Sequence, residues 1–593
     1  MEKVLKQFID KNLGEEKPVD PTYQFSSKLL MDVDNNFELP IHFLNKTDKF
    51  PVPESTNDDL ELTHKIYPTI FKNNNEISNR MIQKWNKTYT NNVPFLKDSQ
   101  HIIQNIKPCD DADHIDGSQL WDDINSPYYC NKYGFIGWNT LNFLNHSTAF
   151  LTFTTLSNML SPLIFLIMPF IFLAIPFVLL KVQGIQINMY SYLDILKHIA
   201  RNHFLGKAIL NMQSASMTSI AQLVGYTFMY GLQIYNNVQS CKKYYSDIIN
   251  VNTNINFIKK HISLVNEHIE HFKTVSKDCT TYDPFVENMT KHQTTLNTIY
   301  DNIKHIEDFK PSISKFADIG NVLKCYYNIY ETPDYINSLG YSFGLCGYFN
   351  NLRELNALCV NKTINVATFT NKNKCKMNNQ VYPLLHDKDV VSNTCDLTKN
   401  MIITGSNASG KTTILKATTI NVILTQQFGF GYYDSCVIQP YTHIHSYLNI
   451  PDTSERDSLF QAESRRCKEI LDSVENTDEG SRHFCIFDEL YSGTNPDEAS
   501  KSGYAFLKYL EQFKNVNFML TTHYTYICKK FKTSECTANF KMHTTINDDG
   551  SLRFHYKIKK GISKIKGAIN ILKQMDYPQA IINDIQQLWF GFD

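Results

Sequence analysis

The pattern of apolar and polar positions divides the chain into four stretches. Residues 1 to about 115 are polar, and Pro18, Pro21, Pro51 and Pro53 interrupt any long element there. The pattern changes abruptly after Gly137-Trp138. Met159 to Leu180 is a run of 22 residues without a charge, closed by Lys181, and it is long enough to cross a bilayer core as a helix. A second uncharged stretch, Ser216 to Tyr235, is less apolar and contains Gly225 and Gly231. Beyond about 240 the pattern becomes periodic. Ile255, Ile258, Ile262, Val265, Ile269 and Phe272 recur at spacings of three and four, and Leu296, Ile299, Ile303 and Ile306 repeat this after a break at Asp278 to Pro284. From about 331 to 593 short apolar runs alternate with helical segments, the first of them a helix around Asn351 to Cys359.

These patterns predict a polar N-terminal region (1–115), a helical region with hydrophobic segments 159–180 and 216–235 (116–240), a helical lever or coiled-coil hairpin (241–330) and an α/β domain (331–593). The arms of the hairpin, roughly 20 to 25 residues each, would reach about 30–40 Å; the plainer alternative is a two-helix piece of a bundle. Pro162, Pro169 and Pro176 would each break a helical hydrogen-bond ladder, which argues against a soluble core helix at 159–180 and for membrane insertion. The connection between the two apolar segments carries Lys181, Lys197, Arg201 and Lys207 against Asp194, an excess expected to stay in the cytoplasm. That disfavours a double crossing and favours an insertion bent near Pro169.

The strongest chemical signal is Gly405-Ser406-Asn407-Ala408-Ser409-Gly410-Lys411-Thr412, which follows the apolar Met401-Ile402-Ile403 and precedes the helical Thr413-Ile414-Leu415-Lys416. Strand, glycine loop and helix form a P-loop, whose inward backbone N–H groups and helix N-terminus suit the phosphates of a nucleotide. Lys411 would reach the β and γ phosphates, and Thr412 would hold Mg²⁺. A second strand, Arg482 to Phe487, ends in Asp488-Glu489, and a third, Val516 to Leu520, ends in Thr521-Thr522-His523. Asp488 would complete the Mg²⁺ shell through water, Glu489 would polarise the attacking water, and His523 would sense the γ-phosphate.

Between and after these strands lie motifs that resemble the MutS mismatch-repair ATPases. Asp457-Ser458-Leu459-Phe460-Gln461-Ala462-Glu463 is similar to the family's serine-x-phenylalanine-x-x-glutamate segment. Asp488 to Asn495 resembles its Asp-Glu-x-x-x-Gly-Thr run, Thr522-His523-Tyr524 its Thr-His-Tyr, and Tyr556 to Gly561 with Ser563 to Gly567 its C-terminal segment. The resemblance covers about 340–593. It implies an α/β P-loop NTPase of the ABC/MutS type that hydrolyses ATP with Mg²⁺ at a composite site between two subunits. Ser458 would act in trans on the partner's nucleotide, residues 405–412 with Thr413 would cradle the phosphates, and Tyr556 would stack on adenine opposite a position near Val390. A second MutS-like subunit and DNA are the partners it implies, and mismatch repair or another DNA transaction is the role.

The rest of the sequence limits that picture. The family's phenylalanine-x-glutamate mismatch wedge has no counterpart in the first 150 residues, and Phe285-Val286-Glu287 reads as helix packing. Little chain remains after Pro578 for dimerisation helices beyond Gln579 to Leu588. A net charge of −1 gives no global basic field, so DNA contact would rest on local cations such as Lys259, Lys260, Lys273 and Lys277. The acidic cluster Asp110-Asp111-Ala112-Asp113 reads as a solvated loop. The 14 cysteines include no CxxC pair and Met1-Glu2-Lys3-Val4 opens no apolar leader, so reduced thiols and an intracellular setting are expected, membrane-associated with the ATPase domain in the cytosol. An ABC transporter would need a Leu-Ser-Gly-Gly-Gln signature before Asp488 and about six spans per half, and neither is present. Two readings stay open: a DNA-clamping ATPase, and a membrane-anchored mechanical ATPase of the same fold.

Overall fold

The structure is a computed structural model and describes residues 27–72, 75–107, 117–184, 188–202, 217–308, 313–385, 390–448, 450, 458–478, 480–547, 551–565, 569, 572–573 and 575–590. Asp110, Asp111, Asp113, Lys207, Asp457 and the 566–567 end of the C-terminal motif lie outside them. Two compact units divide the chain. One comprises Met1–Leu29, Asp116–Leu264 and Gln293–Leu339, the other Leu30–Ile115, Val265–His292 and Gly340–Asp593.

From Leu30 on, the polar N-terminal stretch belongs to the same unit as the α/β region. It contributes helix α1 (Ser27–Asn36), strand β1 (Lys49–Pro51), helix α2 (Glu76–Trp85), strand β2 (Thr88–Thr90) and helix α3 (Val93–Asn105). Asparagine caps start two of the helices: Asn75 accepts from Ile77 N at 2.8 Å and Asn92 from Phe95 N at 2.9 Å. Many of its apolar residues are deeply buried, among them Leu62, Ile66, Tyr67 and Phe71.

The next stretch is helical. Helix α4 (Thr148–Val182) is capped by Ser147, and α5 (Met189–Asn202), α6 (Met217–Val275), α7 (Asp283–Ile303), α8 (Ile313–Glu331) and α9 (Pro333–Val360) follow. α4 runs unbroken through positions 162, 169 and 176, which corrects the expected break and the bend at Pro169. It lies antiparallel to the first half of α6. Thr155 Oγ1 meets Tyr244 Oη at 3.1 Å, Cys241 Sγ donates to Met159 O at 3.1 Å, and the Phe165 and Tyr230 rings stack at 5.5 Å. The pairing also explains how one proline is accommodated. Pro169 has no N–H to give to Phe165 O, and the Tyr230 hydroxyl donates to that carbonyl at 3.4 Å. Among the described residues one helical stretch, Thr148–Met168, is long and apolar enough by length and composition to cross a membrane, and 11% of it is buried.

The expected projecting arms are instead parts of packed bundles. Ile255, Ile258 and Ile262 of α6 are fully buried in one unit, where Asn254 Nδ2 donates to Tyr326 Oη at 2.9 Å. In the other unit Phe272 packs against Phe349 at 5.4 Å and Phe285 against Tyr348 at 5.7 Å. Phe285 is therefore a core residue, as its helical setting implied.

The α/β region holds two sheets. In chain order the strands are β3 (Asn365–Phe369), β4 (Cys375–Gln380), β5 (Asn393–Asp396), β6 (Asn400–Thr404), β7 (Phe430–Gly431), β8 (Ser435–Ile438), β9 (His443–Tyr447), β10 (His483–Asp488), β11 (Val516–Thr522), β12 (Thr537–Ile546) and β13 (Leu552–Lys560). The six-stranded sheet has the order β13-β12-β6-β11-β10-β9, parallel except for the β12/β13 hairpin. Its inner strands are buried on both faces, which is why they read as continuous apolar runs. Helices α10 (Lys411–Phe428), α11 (Leu459–Glu475) and α12 (Pro496–Leu510) flank the sheet, and α13 (Gln579–Phe590) follows it. Cys485 and Phe487 of β10 pack with Ile470 of α11 and Leu507 of α12. The other sheet has the order β5-β4-β8-β3-β7.

α10 is buried almost all round, so its polar residues must find partners inside the protein. Gln427 accepts from Tyr67 Oη at 2.8 Å and donates to Trp85 O at 2.6 Å and Thr88 O at 3.0 Å. Replacing Tyr67 with Phe leaves the Gln427 carbonyl buried without a donor. The expected cost is about 1–2 kcal/mol, read as a lowered midpoint in thermal or urea unfolding.

Candidate nucleotide site

Parallel register brings three strand ends to one edge. Asp488 stands beside Thr521 and Thr522 beside Thr404, so the residues that follow β6, β10 and β11 converge at the carboxyl end of the sheet. The loop after β6 curls tightly. Ala408 and Gly410 take left-handed φ of 61° and 91°. A Cβ at Gly405 would sit 2.6 Å from Ser409 Oγ and 3.0 Å from Met542 Cβ, so a side chain there would have to displace the Ser409 hydroxyl that closes the turn. Ser409 Oγ donates to Ser406 O at 2.7 Å and closes the turn.

Lys411 donates to Gly405 O at 3.1 Å and Ser406 O at 3.2 Å, and burial pulls its pKa down against the opposing pull of Glu489 and Asp488. Thr412 Oγ1 donates to Asp488 Oδ2 at 2.7 Å, and the Thr521 hydroxyl donates to Asp488 Oδ1. Glu489 has a left-handed φ of 52°, and its Oε1 lies 3.0 Å from His523 Nε2. His523 holds the Glu489 carboxyl below the usual carboxylate range, so Glu489 is charged at neutral pH. The same His523 nitrogen lies 3.1 Å from Lys411 Nζ. It can donate to Glu489 or accept from Lys411, and its tautomer decides which.

These groups suit a magnesium nucleotide. Thr412 and Asp488 put hard oxygens side by side at the loop, the ligand type Mg²⁺ takes. Ser406 Oγ is buried without a partner, a donor that a phosphate oxygen would satisfy. Asn407, Ala408, Ser409, Gly410, Thr412 and Thr413 line a cavity of about 640 Å³, together with Tyr382, Leu385, Val390, Val391, Asn393 and Tyr556. Tyr556 and Val390, expected to face each other across a base, thus line one cavity. A Cβ at Gly410 would lie 3.2 Å from the Tyr556 ring.

Ser458 is exposed and begins α11, with a capping box in which Ser458 N donates to Gln461 Oε1 at 2.9 Å and Gln461 N to Ser458 Oγ at 3.4 Å. These contacts lie within its own helix cap. One turn on, Glu463 is 2% exposed and accepts from Ser492 N and Ser492 Oγ at 3.0 Å and from Gly493 N at 3.1 Å. A Cβ at Gly493 would lie 2.7 Å from Leu459 Cγ. The helix that presents Ser458 is thereby fastened to the turn that follows Asp488-Glu489. Thr521 and Asn393 were not singled out from sequence. A hydroxyl or an amide of this kind carries no local signal, and only strand register brings them to the site.

Comparison with known proteins agrees with this geometry. Residues 401–591 match the family described as MutS domain V. The chain is 24% identical over 235 residues to the DNA mismatch repair protein MutS of Staphylococcus saprophyticus, covering 38% of this chain and 26% of that protein. It is 26% identical over 220 residues to the endonuclease MutS2 of Staphylococcus haemolyticus, covering 36% and 27%. It is 28% identical over 214 residues to the DNA mismatch repair protein Msh3 of Dictyostelium discoideum, covering 33% and 15%. The chain thus spans about a quarter or less of the length of these curated relatives. The C-terminal part of the chain is similar to the P-loop ATPase domain of the MutS family.

Glu463 gives this site a stability test. Glu463→Ala strips partners from two backbone N–H groups and should cost about 2–3 kcal/mol, whereas Glu463→Gln keeps one acceptor and should cost about 1 kcal/mol. Denaturant midpoints of the two variants should therefore fall in that order.

Proposed function

We propose that the chain is one subunit of a dimeric MutS-like ATPase in which ATP binding closes, and hydrolysis reopens, a clamp on DNA. The observation that carries this reading is the convergence of Lys411, Thr412, Asp488, Glu489 and His523 at three adjacent strand ends. Thr412 and Asp488 would hold Mg²⁺, which would neutralise charge on the transferring phosphoryl oxygens. Lys411 and the loop N–H groups bind the phosphates. Glu489, kept ionised by His523, orients and deprotonates the attacking water. His523 changes its partner as the γ-phosphate comes and goes.

Dimerisation supplies what one chain lacks. Ser458, exposed at a helix N-terminus, would complete the partner subunit's site, and its own P-loop would receive the partner's serine. The relatives named for mismatch repair and for nuclease activity support a DNA transaction, mismatch repair among them. Of the four lysines considered for DNA contact, Lys259 donates to Ile306 O at 2.7 Å and Lys273 pairs with Glu270 at 3.4 Å, while Lys260 and Lys277 are exposed.

A second reading has its own observation: the paired helices α4 and α6 leave apolar side chains uncovered on both members. Leu163 is 52%, Val178 55%, Val224 62% and Phe228 61% exposed. A membrane-anchored mechanical ATPase, its ATPase domain in the cytosol, uses that pair as its anchor.

Three experiments test these readings. ATP hydrolysis by the purified protein should be stimulated by DNA at about 50 mM salt and less so at about 200 mM. Glu489→Gln should still bind ATP but turn over at least about 100-fold more slowly. Absence of DNA stimulation at the lower salt sinks the clamp, and near-normal turnover by the variant sinks the role given to Glu489. For the anchor, the detergent-purified full chain should float with liposomes after detergent removal. Recovery as a monodisperse protein in the aqueous fraction would refute it.

A further inference from the structure

The Tyr556 ring stands where it does because of an irregularity in the β12/β13 hairpin. Met542 pairs with Ile558 and Thr544 with Phe554, so His555, Tyr556 and Lys557 stand opposite His543 alone. In this bulge Tyr556 takes a left-handed φ of 52°, a conformation that a bulky aromatic adopts only when its surroundings impose it. A bulge also strips ladder partners from its own backbone groups.

Asn393, the first residue of β5, supplies those partners. Its Nδ2 donates to Tyr556 O at 2.8 Å, and its Oδ1 accepts from Ile558 N at 2.8 Å. Both ends of the amide are therefore fixed, because Ile558 N can only donate and Tyr556 O can only accept. Nδ2 also lies 3.4 Å from the carbonyl of Val391, two residues earlier, which lines the same cavity. Asn393 is 7% exposed and lines that cavity. Lys557 adds a second tie, donating to Ser392 O and lying 3.4 Å from Ser392 Oγ. One side chain thus ties the Val391 and Tyr556 backbones together, and both residues line the cavity.

Resting on the nucleotide reading of this cavity, we propose that Asn393 is a positioning residue for base recognition, holding Tyr556 at the separation from Val390-Val391 that grips a planar purine. Asn393 touches neither phosphate nor metal in this scheme. It acts through the Tyr556 backbone, so its loss frees the bulge to relax and opens the slot while the P-loop stays intact.

Affinities for Mg²⁺-ATP and for Mg²⁺-tripolyphosphate, which lacks a base, separate this role from general structural support. The full-length protein is compared with Asn393→Ala, Tyr556→Ala and the double variant. Loss of base stacking on an aromatic ring sets the scale, so each single variant should weaken ATP binding about five- to twentyfold. Tripolyphosphate binding should change by less than about twofold, and the double variant should bind ATP no more weakly than Tyr556→Ala alone. Equal weakening of both ligands by Asn393→Ala, additive losses in the double variant, or unchanged ATP affinity would each overturn the proposal. If the unaltered protein binds ATP no better than tripolyphosphate, the slot does not grip a base and the proposal falls while the phosphate site stands. If it binds neither ligand, the nucleotide reading falls with it.

Discussion

The active arrangement hangs on the two oxygens of Asp488. One accepts from Thr412 at the start of α10 and the other from Thr521 on β11, so a single carboxylate ties the P-loop helix to two strands. This is possible only if β6, β11 and β10 keep their parallel register, since a slip of one residue would turn Asp488 to the opposite face of the sheet. Met401 to Ile403, Phe484 to Phe487 and Phe518 to Leu520 are buried on both faces, and the observed ladders pair Asp488 with Thr521 and Thr522 with Thr404. From that fixed point the chain turns through left-handed residues at Glu489 and Tyr491, and Glu463 catches the turn that follows.

A second constraint works behind the P-loop helix. α10 carries Asn421, Thr425, Gln426 and Gln427 into the interior, and each satisfies its polar atoms on other elements. Gln426 donates to Thr90 O at 3.0 Å and Tyr441 O at 2.7 Å, while Gln427 takes Tyr67, Trp85 and Thr88. The helix that would receive the phosphates is thus hydrogen-bonded to the N-terminal stretch of the chain. A displacement of α10 would strain those bonds, which gives residues 67–90 a direct mechanical link to the site. The stretch is therefore a structural part of the ATPase unit despite its polar composition.

The α/β fold and the P-loop were legible in the sequence because both are written locally. Strands buried on two faces must be continuously apolar, and a phosphate loop needs its glycines, lysine and threonine at fixed spacing. The order Asp488, Glu489, His523 could be read for the same reason. Asn393 and Thr521 could not, because their roles arise from contacts between strands distant in sequence. The N-terminal stretch was opaque because its helices are short and separated by prolines and polar turns, so faces such as Ile77, Met81 and Trp85 of α2 extend over only two or three turns. The heptads of α6 and α7 announced two helices correctly, yet the same apolar stripe serves a free arm or a packed bundle. Only the contacts of Asn254, Phe272 and Phe285 decide for the bundle.

The prolines of α4 show most plainly why composition alone misjudged that helix. They recur every seven residues, close to two helical turns, so the N–H groups they lack fall along one side of the helix. A neighbour on that side can supply what is missing, as Tyr230 does for Phe165 O. The α4/α6 pair therefore meets part of its backbone demand from within while leaving Leu163, Val178, Val224 and Phe228 uncovered. In water that combination is unfavourable, because the side chains gain nothing from the pairing that satisfied the backbone. In an apolar surrounding both needs are met at once, since internal hydrogen bonding is what such a medium demands and exposed apolar surface is what it accepts. The membrane reading proposed for this pair rests on that balance between backbone and side chain more than on hydropathy.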